Sequence, residues 1–387
     1  MSRPPARLGG AAEVQASGIT TSTRDPQELG KRLALWLGTG CAKRTNVQVT
    51  NVLTPEGNGM SSETILFDAS WVQDGVGNSR SCVARIAPEM ENLPIFGQYD
   101  LGQQFDAMTL VRDATSVPMP EALWYEPDPS IVGSAFFVME RVDGEIPRDV
   151  LPYTFGDNWV DSASTQQRQR LQRSAIRSLA QIHTVTSSTH DLSAFQYDIS
   201  GATALERHIS KWEAYNDWVA GEHRSALLDD CFGWLRDNIP TQTLPDALSW
   251  GDSRIGNMIF SDFEVAAVLD WEMVGVAPPE VDLGWMIYMH QFFQDIATDL
   301  GLVGLPDFMV PAEMISLYED FSATSVEDLR WYLAYAAMRH GVIMRRVTQR
   351  AVLFGEAIEP PDLDDMIIHR ATLEAMLDGS YWATIDL

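Results

Sequence analysis

The sequence is short of positive charge: 27 Lys plus Arg stand against 54 Asp plus Glu in 387 residues, a formal net charge of −27. That balance argues against a nucleic-acid partner, because phosphate backbones are held by clustered cations and a field of this sign repels them. Cysteine is scarce as well. Cys41, Cys82 and Cys231 are odd in number, far apart and in no CxxC pair. They read as reduced thiols in the core, not as a disulfide frame or a zinc site. No apolar run approaches the roughly 18 residues that a membrane span needs. No apolar stretch follows the few positive charges at the amino terminus, so a signal peptide is not expected and the cytoplasm is the expected compartment. A P-loop enzyme is excluded by the absence of GxxxxGK[ST].

What is present is ample material for a core. The chain is 45% hydrophobic and carries 12 Trp, 15 Phe and 10 Tyr, far more buriable area than disordered chains hold. Residues 1–26 are rich in Gly, Ala, Ser, Thr and Pro without periodicity and read as a flexible tail. Asp25-Pro26 then offers an N-cap and a first helical proline, with Leu29, Leu33 and Leu37 on one face of a helix. Three β-prone runs follow, over 47–53, 64–71 and 81–86, and predict an antiparallel meander. A helix over 101–112 and strands over 122–125 and 134–142 complete the first part.

Beyond Gly144 the pattern is mostly helical. Leu171, Ala175, Leu179 and Ile182 lay one apolar stripe along a helix over 165–185, and further helices are expected over 282–293 and 326–346. One island of strand pattern interrupts them, 258–260 and 265–271, joined by Ser261-Asp262-Phe263-Glu264. The class is therefore α+β in a two-lobe layout, with a tail over 1–26, an N-lobe over 27–141 and a C-lobe over 142–387. Clefts between such lobes are frequent ligand sites.

The densest chemistry sits on that hairpin: Trp250-Gly251-Asp252-Ser253-Arg254-Ile255-Gly256-Asn257, then Asp270-Trp271-Glu272. A carboxylate, an amide five residues on and a second carboxylate at the end of the next hairpin is what phosphoryl transfer requires. One Asp orients the acceptor hydroxyl and takes its proton, while Asn and the other Asp hold Mg²⁺ on the nucleotide phosphates. The alternative reading of the same residues is an ordinary turn with Asx caps.

With these motifs the chain resembles the aminoglycoside phosphotransferase and choline kinase-like superfamily, which has a protein kinase-like fold, and the kinase-like domains fused to some acyl-CoA dehydrogenases. The resemblance runs from about Gln27 to the carboxyl end. Its most specific parts are SWGDSRIGNMIF (249–260), AVLDWEMVGVAPPEVDLGW (267–285), FFVMERVDGE (136–145) and PYTFGDNW (152–159). It implies that Asp252 is the catalytic base and that Asn257 and Asp270 are metal ligands. Gly57 to Ser62 matches the phosphate-covering loop, with Ser61 and Ser62 in it, although a plain hairpin turn reads the same way.

The strand residue that pairs with the phosphates is usually a Lys in such enzymes; here Arg85 occupies the position. A guanidinium can grip phosphate bidentately, and the competing reading is a surface Arg on an edge strand. Gln104 is the nearest match to the helical Glu that orients that residue. Backbone groups near Glu140 and Val142 match the hinge that meets the adenine edge. Trp250 replaces the family's His and is expected to pack, since indole cannot accept a proton. Asp282 reads as an N-cap, Glu272 as either a metal aid or a solvent-facing group, and His183 as a packed residue. The loop 152–159 reads as a substrate pocket wall or a packed Ω-like loop.

The function implied is transfer of the γ-phosphoryl group of ATP, with Mg²⁺, to a hydroxyl of a small molecule: an aminoglycoside-like compound, an amino alcohol or a hydroxyacyl compound. The alternative is a kinase-fold protein that binds nucleotide or metabolite without transfer, fed by Arg85, Gln104 and Trp250. A serine hydrolase built on Gly251-Asp252-Ser253 is a distant third, since no His has an Asp three residues before it and no G-x-S-x-G elbow is present.

Overall fold

The computed structural model describes residues 24–39, 44–55, 62–89, 93–385 and 387. The expected tail up to residue 23, Cys41 and residues 57–61 of the expected phosphate-covering loop lie outside these. An N-terminal helix, α1 (Pro26–Thr39), precedes β1 (Arg44–Leu53), β2 (Glu63–Gln73) and β3 (Val76–Ile86). Then come α2 (Leu101–Ala114), β4 (Ala122–Glu126) and β5 (Phe136–Glu140). The five strands form one antiparallel sheet in the order β1-β2-β3-β5-β4. The meander was legible; the insertion of β5 between β3 and β4 was not.

Alternation along the strands gives the sheet two different faces. Cys82, Ala84 and Ile86 of β3, with Phe136 and Val138 of β5, pack under Leu29, Leu33 and Leu37 of α1. Val83, Phe137 and Met139 point the other way, into the core shared with α2 and the helical region. Arg85 shares the parity of Val83 and so projects from the sheet face that meets the rest of the molecule.

The helical region contains α3 (Thr165–Ile182), α4 (Ala204–Ala220), α5 (Ala226–Asp237), β6 (Ala247–Ser249), β7 (Met258–Ser261), β8 (Glu264–Val268) and β9 (Gly275–Ala277). It closes with α6 (Glu280–Asp299), α7 (Pro311–Ser322), α8 (Arg330–Leu353) and α9 (Arg370–Asp378). Ser164 with Gln167 and Thr203 with Glu206 form capping boxes that start α3 and α4. α8 starts later than its apolar pattern suggests because Asp328 Oδ1 accepts the N–H of Arg330 at 2.9 Å. Among the described residues no helix is long and apolar enough to cross a membrane. Cys82 and Cys231 are buried free thiols, and burial pushes both up to about 12, as core residues require.

Two short antiparallel pairs carry the expected chemistry, β7 with β8 and, unforeseen in the sequence, β6 with β9. Together they frame the segments 250–257 and 269–274.

Candidate active site

The segment after β6 turns sharply at Gly251, whose φ of +90° suits glycine, and an added Cβ there would collide with the carbonyl of Met273. Asp282 holds this turn from below. It is fully buried and accepts the N–H of Trp250 at 2.7 Å, the N–H of Gly251 at 2.9 Å and the hydroxyl of Ser249 at 2.9 Å. His183 Nε2 lies 3.1 Å from the same carboxylate. Burial alone would raise the Asp282 carboxyl, but the hydrogen bonds from His183, Gly251 and Ser249 hold it below its ordinary value.

Asp282 is therefore not the expected N-cap: Pro279 takes that place and Asp282 lies inside α6, turned toward the loop. His183 is packed as expected, its other nitrogen 2.8 Å from the hydroxyl of Tyr318.

Asp252 is 8% exposed and ringed by donors. Asn257 Nδ2 donates to its Oδ2 at 2.7 Å, Trp285 Nε1 to its Oδ1 at 2.8 Å, and Arg254 Nε to both oxygens at 2.9 and 3.1 Å. Arg254 also pairs with Asp149, from the segment that follows β5. Burial opposes the charge of Arg254, but the carboxylates of Asp149 and Asp252 on either side raise its pKa above the ordinary value. Gly256 makes room for this pair, since a Cβ there would press on both Asp149 and Arg254. Sequence reasoning assigned no role to Arg254, Asp149 or Trp285. Arg254 carried a signal, a cation two residues from the expected base, whereas the others approach from distant elements.

Asn257 spends its Nδ2 on Asp252 and is left with its Oδ1 as an acceptor. Asp270 adopts a left-handed backbone (φ 57°), its carbonyl accepts from Trp250 Nε1 at 3.1 Å, and its Oδ1 is buried without a hydrogen-bond partner. A buried carboxylate oxygen with no hydrogen-bond partner among the described residues fits a hard cation. Among the described residues no group of three or more His, Cys, Asp or Glu forms a metal site, so nucleotide phosphates and water would complete the shell, as is usual for Mg²⁺.

Arg85 reaches across from the sheet, with Nη2 3.5 Å from Asp270 Oδ2 and Nη1 donating to Thr64 Oγ1 at 2.9 Å. Its side chain is 13% exposed, so it is not a surface residue. No hydrogen bond joins it to Gln104, which is buried on α2.

Other expected residues lie around this centre. Ser62 is fully buried, while Ser61 lies outside the described residues. The side chain of Glu140 is exposed, and its N–H donates to the carbonyl of Glu121 at 2.9 Å. Val142 is half-buried and its N–H makes no backbone hydrogen bond within the described residues. Glu272 is half-buried, with Oε2 closed to solvent. Trp250 packs, fully buried, with Nε1 also donating to the carbonyl of Leu269 at 2.8 Å. Ser253 is buried and its hydroxyl donates to the carbonyl of Asp282 at 2.7 Å, which removes the nucleophile of the hydrolase reading.

The loop 152–159 is a packed one. The Tyr153 hydroxyl lies 2.9 Å from His290, Thr154 donates to the carbonyl of Phe293 at 3.0 Å, and Asn158 Nδ2 donates to two carbonyls of the loop itself.

The family model for the phosphotransferase enzyme family matches residues 66–305, which include Arg85, Asp252, Asn257 and Asp270. The chain belongs to this family. Among curated proteins, acyl-CoA dehydrogenase family member 11 of Gallus gallus is 29% identical over 257 residues, covering 62% of this chain and 31% of the relative. The chain thus spans about a third of that relative's length.

Among solved structures, a candidate aminoglycoside phosphotransferase from Ralstonia eutropha superposes with a TM-score of 0.63 at 22% identity, covering 92% of this chain and 99% of that one. The GDP complex of aminoglycoside 2'-phosphotransferase-IIIa gives 0.54 at 11% identity, covering 92% and 100%. These likenesses establish for this family member the two-lobe, kinase-like α+β fold expected from the sequence.

Proposed function

We propose that this phosphotransferase moves the γ-phosphoryl group of ATP to a hydroxyl of a small molecule. The observation that carries the reading is the meeting of Arg85, from the sheet, with Asp270, from the hairpin, at 3.5 Å. Each has a buried polar atom without a hydrogen-bond partner among the described residues, Arg85 Nη2 and Asp270 Oδ1. A cation and an anion left partly unsatisfied in one cleft suit a ligand that brings both charges, a nucleotide phosphate with its counter-cation.

In this reading Asp252 receives the acceptor hydroxyl and takes its proton as the new O–P bond forms and the bond from phosphorus to the β-phosphate bridge breaks. Arg85 supplies fixed positive charge where the phosphoryl oxygens gather it, and the low-dielectric floor of the cleft strengthens it. Asn257 and Asp270 would hold Mg²⁺, which neutralises phosphate charge when bound. The backbone near Glu140 and Val142 would meet the adenine edge, and the N–H of Val142, which makes no backbone hydrogen bond within the described residues, supports that placement. The acceptor is a small-molecule alcohol, as in the aminoglycoside-like, amino alcohol or hydroxyacyl readings of the sequence.

The test is a thermal melt with ATP, in excess Mg²⁺ and in chelator, for the wild type and for Asp252→Ala. At about 100 times Kd, nucleotide adds about 2.7 kcal/mol to the native state. A Mg²⁺-dependent rise in both proteins, with ATP turnover only in the wild type, is expected. Turnover retained by Asp252→Ala would refute the assignment, and a rise without turnover toward any alcohol would favour the non-catalytic binder.

A further inference from the structure

Two side chains behind the loop that carries Asp252 hold it from one side, Trp285 through the Asp252 carboxylate and Arg339 through a backbone carbonyl. Trp285 lies on α6 three residues after Asp282, so both face the loop from one side of that helix. Asp282 holds the backbone of Trp250 and Gly251, and Trp285, 2% exposed, donates its indole N–H to Asp252 Oδ1 at 2.8 Å. Arg339 of α8 lies over the ring of Trp285 at 4.3 Å and donates Nη2 to the carbonyl of Gly251 at 2.7 Å. It too is 2% exposed, caged further by Trp212 and Tyr335.

We propose that Trp285 is a positioning residue of the transfer reaction, its indole N–H held in place by Arg339 and fixing the plane of the Asp252 carboxylate for the acceptor. The inference rests on the reading of Asp252 as the group that receives the acceptor hydroxyl. Three donors reach that carboxylate, and they are not equivalent. Arg254 spans both oxygens and is also paired with Asp149, on the most exposed side of the site, with 19% of its side chain accessible. Asn257 doubles as a candidate metal ligand. An acceptor hydroxyl reaches the carboxylate by taking the place of Arg254, and at that moment Asn257 and Trp285 alone keep the carboxylate from rotating. A buried indole N–H needs an acceptor, and those of Trp250 and Trp331 find backbone carbonyls; that of Trp285 is spent on the Asp252 carboxylate instead.

Trp285→Phe bears on the positioning role, because phenylalanine keeps an aromatic face for Arg339 and loses the donor, together with part of the buried ring volume. With Mg-ATP and water as the acceptor, the expected result is a fall in kcat of about 10- to 100-fold with KM for Mg-ATP unchanged. A second readout needs no turnover. In protein labelled with ¹⁵N at the indoles, the Trp285 N–H resonance, identified by its loss in Trp285→Phe, is expected to move upfield in Asp252→Ala as its charged acceptor is removed.

A wild-type kcat in Trp285→Phe, with Asp252→Ala inactive, overturns the positioning role and leaves Asp252 in place. A Trp285 resonance unmoved by Asp252→Ala overturns the bond itself. If Asp252→Ala turns over ATP like the wild type, the reading of Asp252 fails, and the positioning role falls with it.

Discussion

The carboxylate of Asp282 accepts the backbone N–H of Trp250 at 2.7 Å, from a position entirely closed to solvent. A helix is thereby tied to the loop that carries Asp252 by a charge that does no chemistry of its own. The tie is strong because it is not single: the N–H of Gly251, the hydroxyl of Ser249 and the imidazole of His183 meet the same two oxygens.

Removing that carboxylate leaves buried donors from two backbone groups and a histidine with nothing to accept them. Asp282→Ala is expected to cost about 3 to 5 kcal/mol in urea unfolding, the range for breaking a buried charge network on one side. Asp282→Asn, which keeps one acceptor oxygen, is expected to recover part of it. A loss below about 1 kcal/mol in Asp282→Ala would show that the loop holds its shape without the tie.

Arg85 is expected to matter for ligand and little for folding, since its partners are Thr64 and the carboxylate of Asp270. Arg85→Gln is predicted to weaken Mg-ATP binding by about 1.5 to 3 kcal/mol, or about 10- to 150-fold in Kd, the worth of a charge-assisted contact. Titration calorimetry reads this directly. Arg85→Lys restores the charge without the planar fork, so it is expected to recover only part of the affinity. An unchanged Kd in Arg85→Gln would remove Arg85 from the nucleotide site.

What the sequence disclosed was whatever local pattern encodes. Alternation in 64–71 and 81–86 located β2 and β3, and the stripe of Leu171, Ala175, Leu179 and Ile182 located α3. The spacing from Asp252 to Asn257 placed both on one tight loop, 2.7 Å apart. Long-range pairs left no such trace. Asp149 is 105 residues from Arg254, and Trp285 is 33 from Asp252. Asp282 misled because a carboxylate before an apolar run is the ordinary mark of a helix start, while Pro279 had already begun the helix and left Asp282 free to turn inward. Gln104 was matched to Arg85 by position along α2, but Arg85 finds Thr64 and Asp270 within reach and makes no hydrogen bond to it.

The buried histidines set the acid limit of the fold. His208, between the hydroxyl of Tyr335 and the carbonyl of Val276, is pushed down to about 3 by burial and by nearby Arg339 and Lys211. Burial likewise pushes His290, beside Tyr153, and His369 down to about 4. His340, stacked on His369 at 4.7 Å and bonded to Tyr288, falls well below its ordinary value through burial and its neighbours His369 and Arg254. The unfolded chain takes up protons at these groups below about pH 6.5, whereas the native state refuses them until about pH 4 or lower. Their contribution is therefore present above pH 6.5 and lost as the pH falls, at about 1.4 kcal/mol per pH unit for each histidine. Asp295 works in the opposite sense: burial and Asp299 raise it to about 6, so the native state binds its proton first. Burial raises Glu280 and Asp246 in the same sense, but three carboxyls do not offset four histidines. The urea midpoint is expected to drop steeply from pH 6 to 4, with a shallower drop in His290→Asn. A midpoint that stays constant from pH 7 to 5 would mean that these imidazoles are protonated, and solvated, inside the native fold.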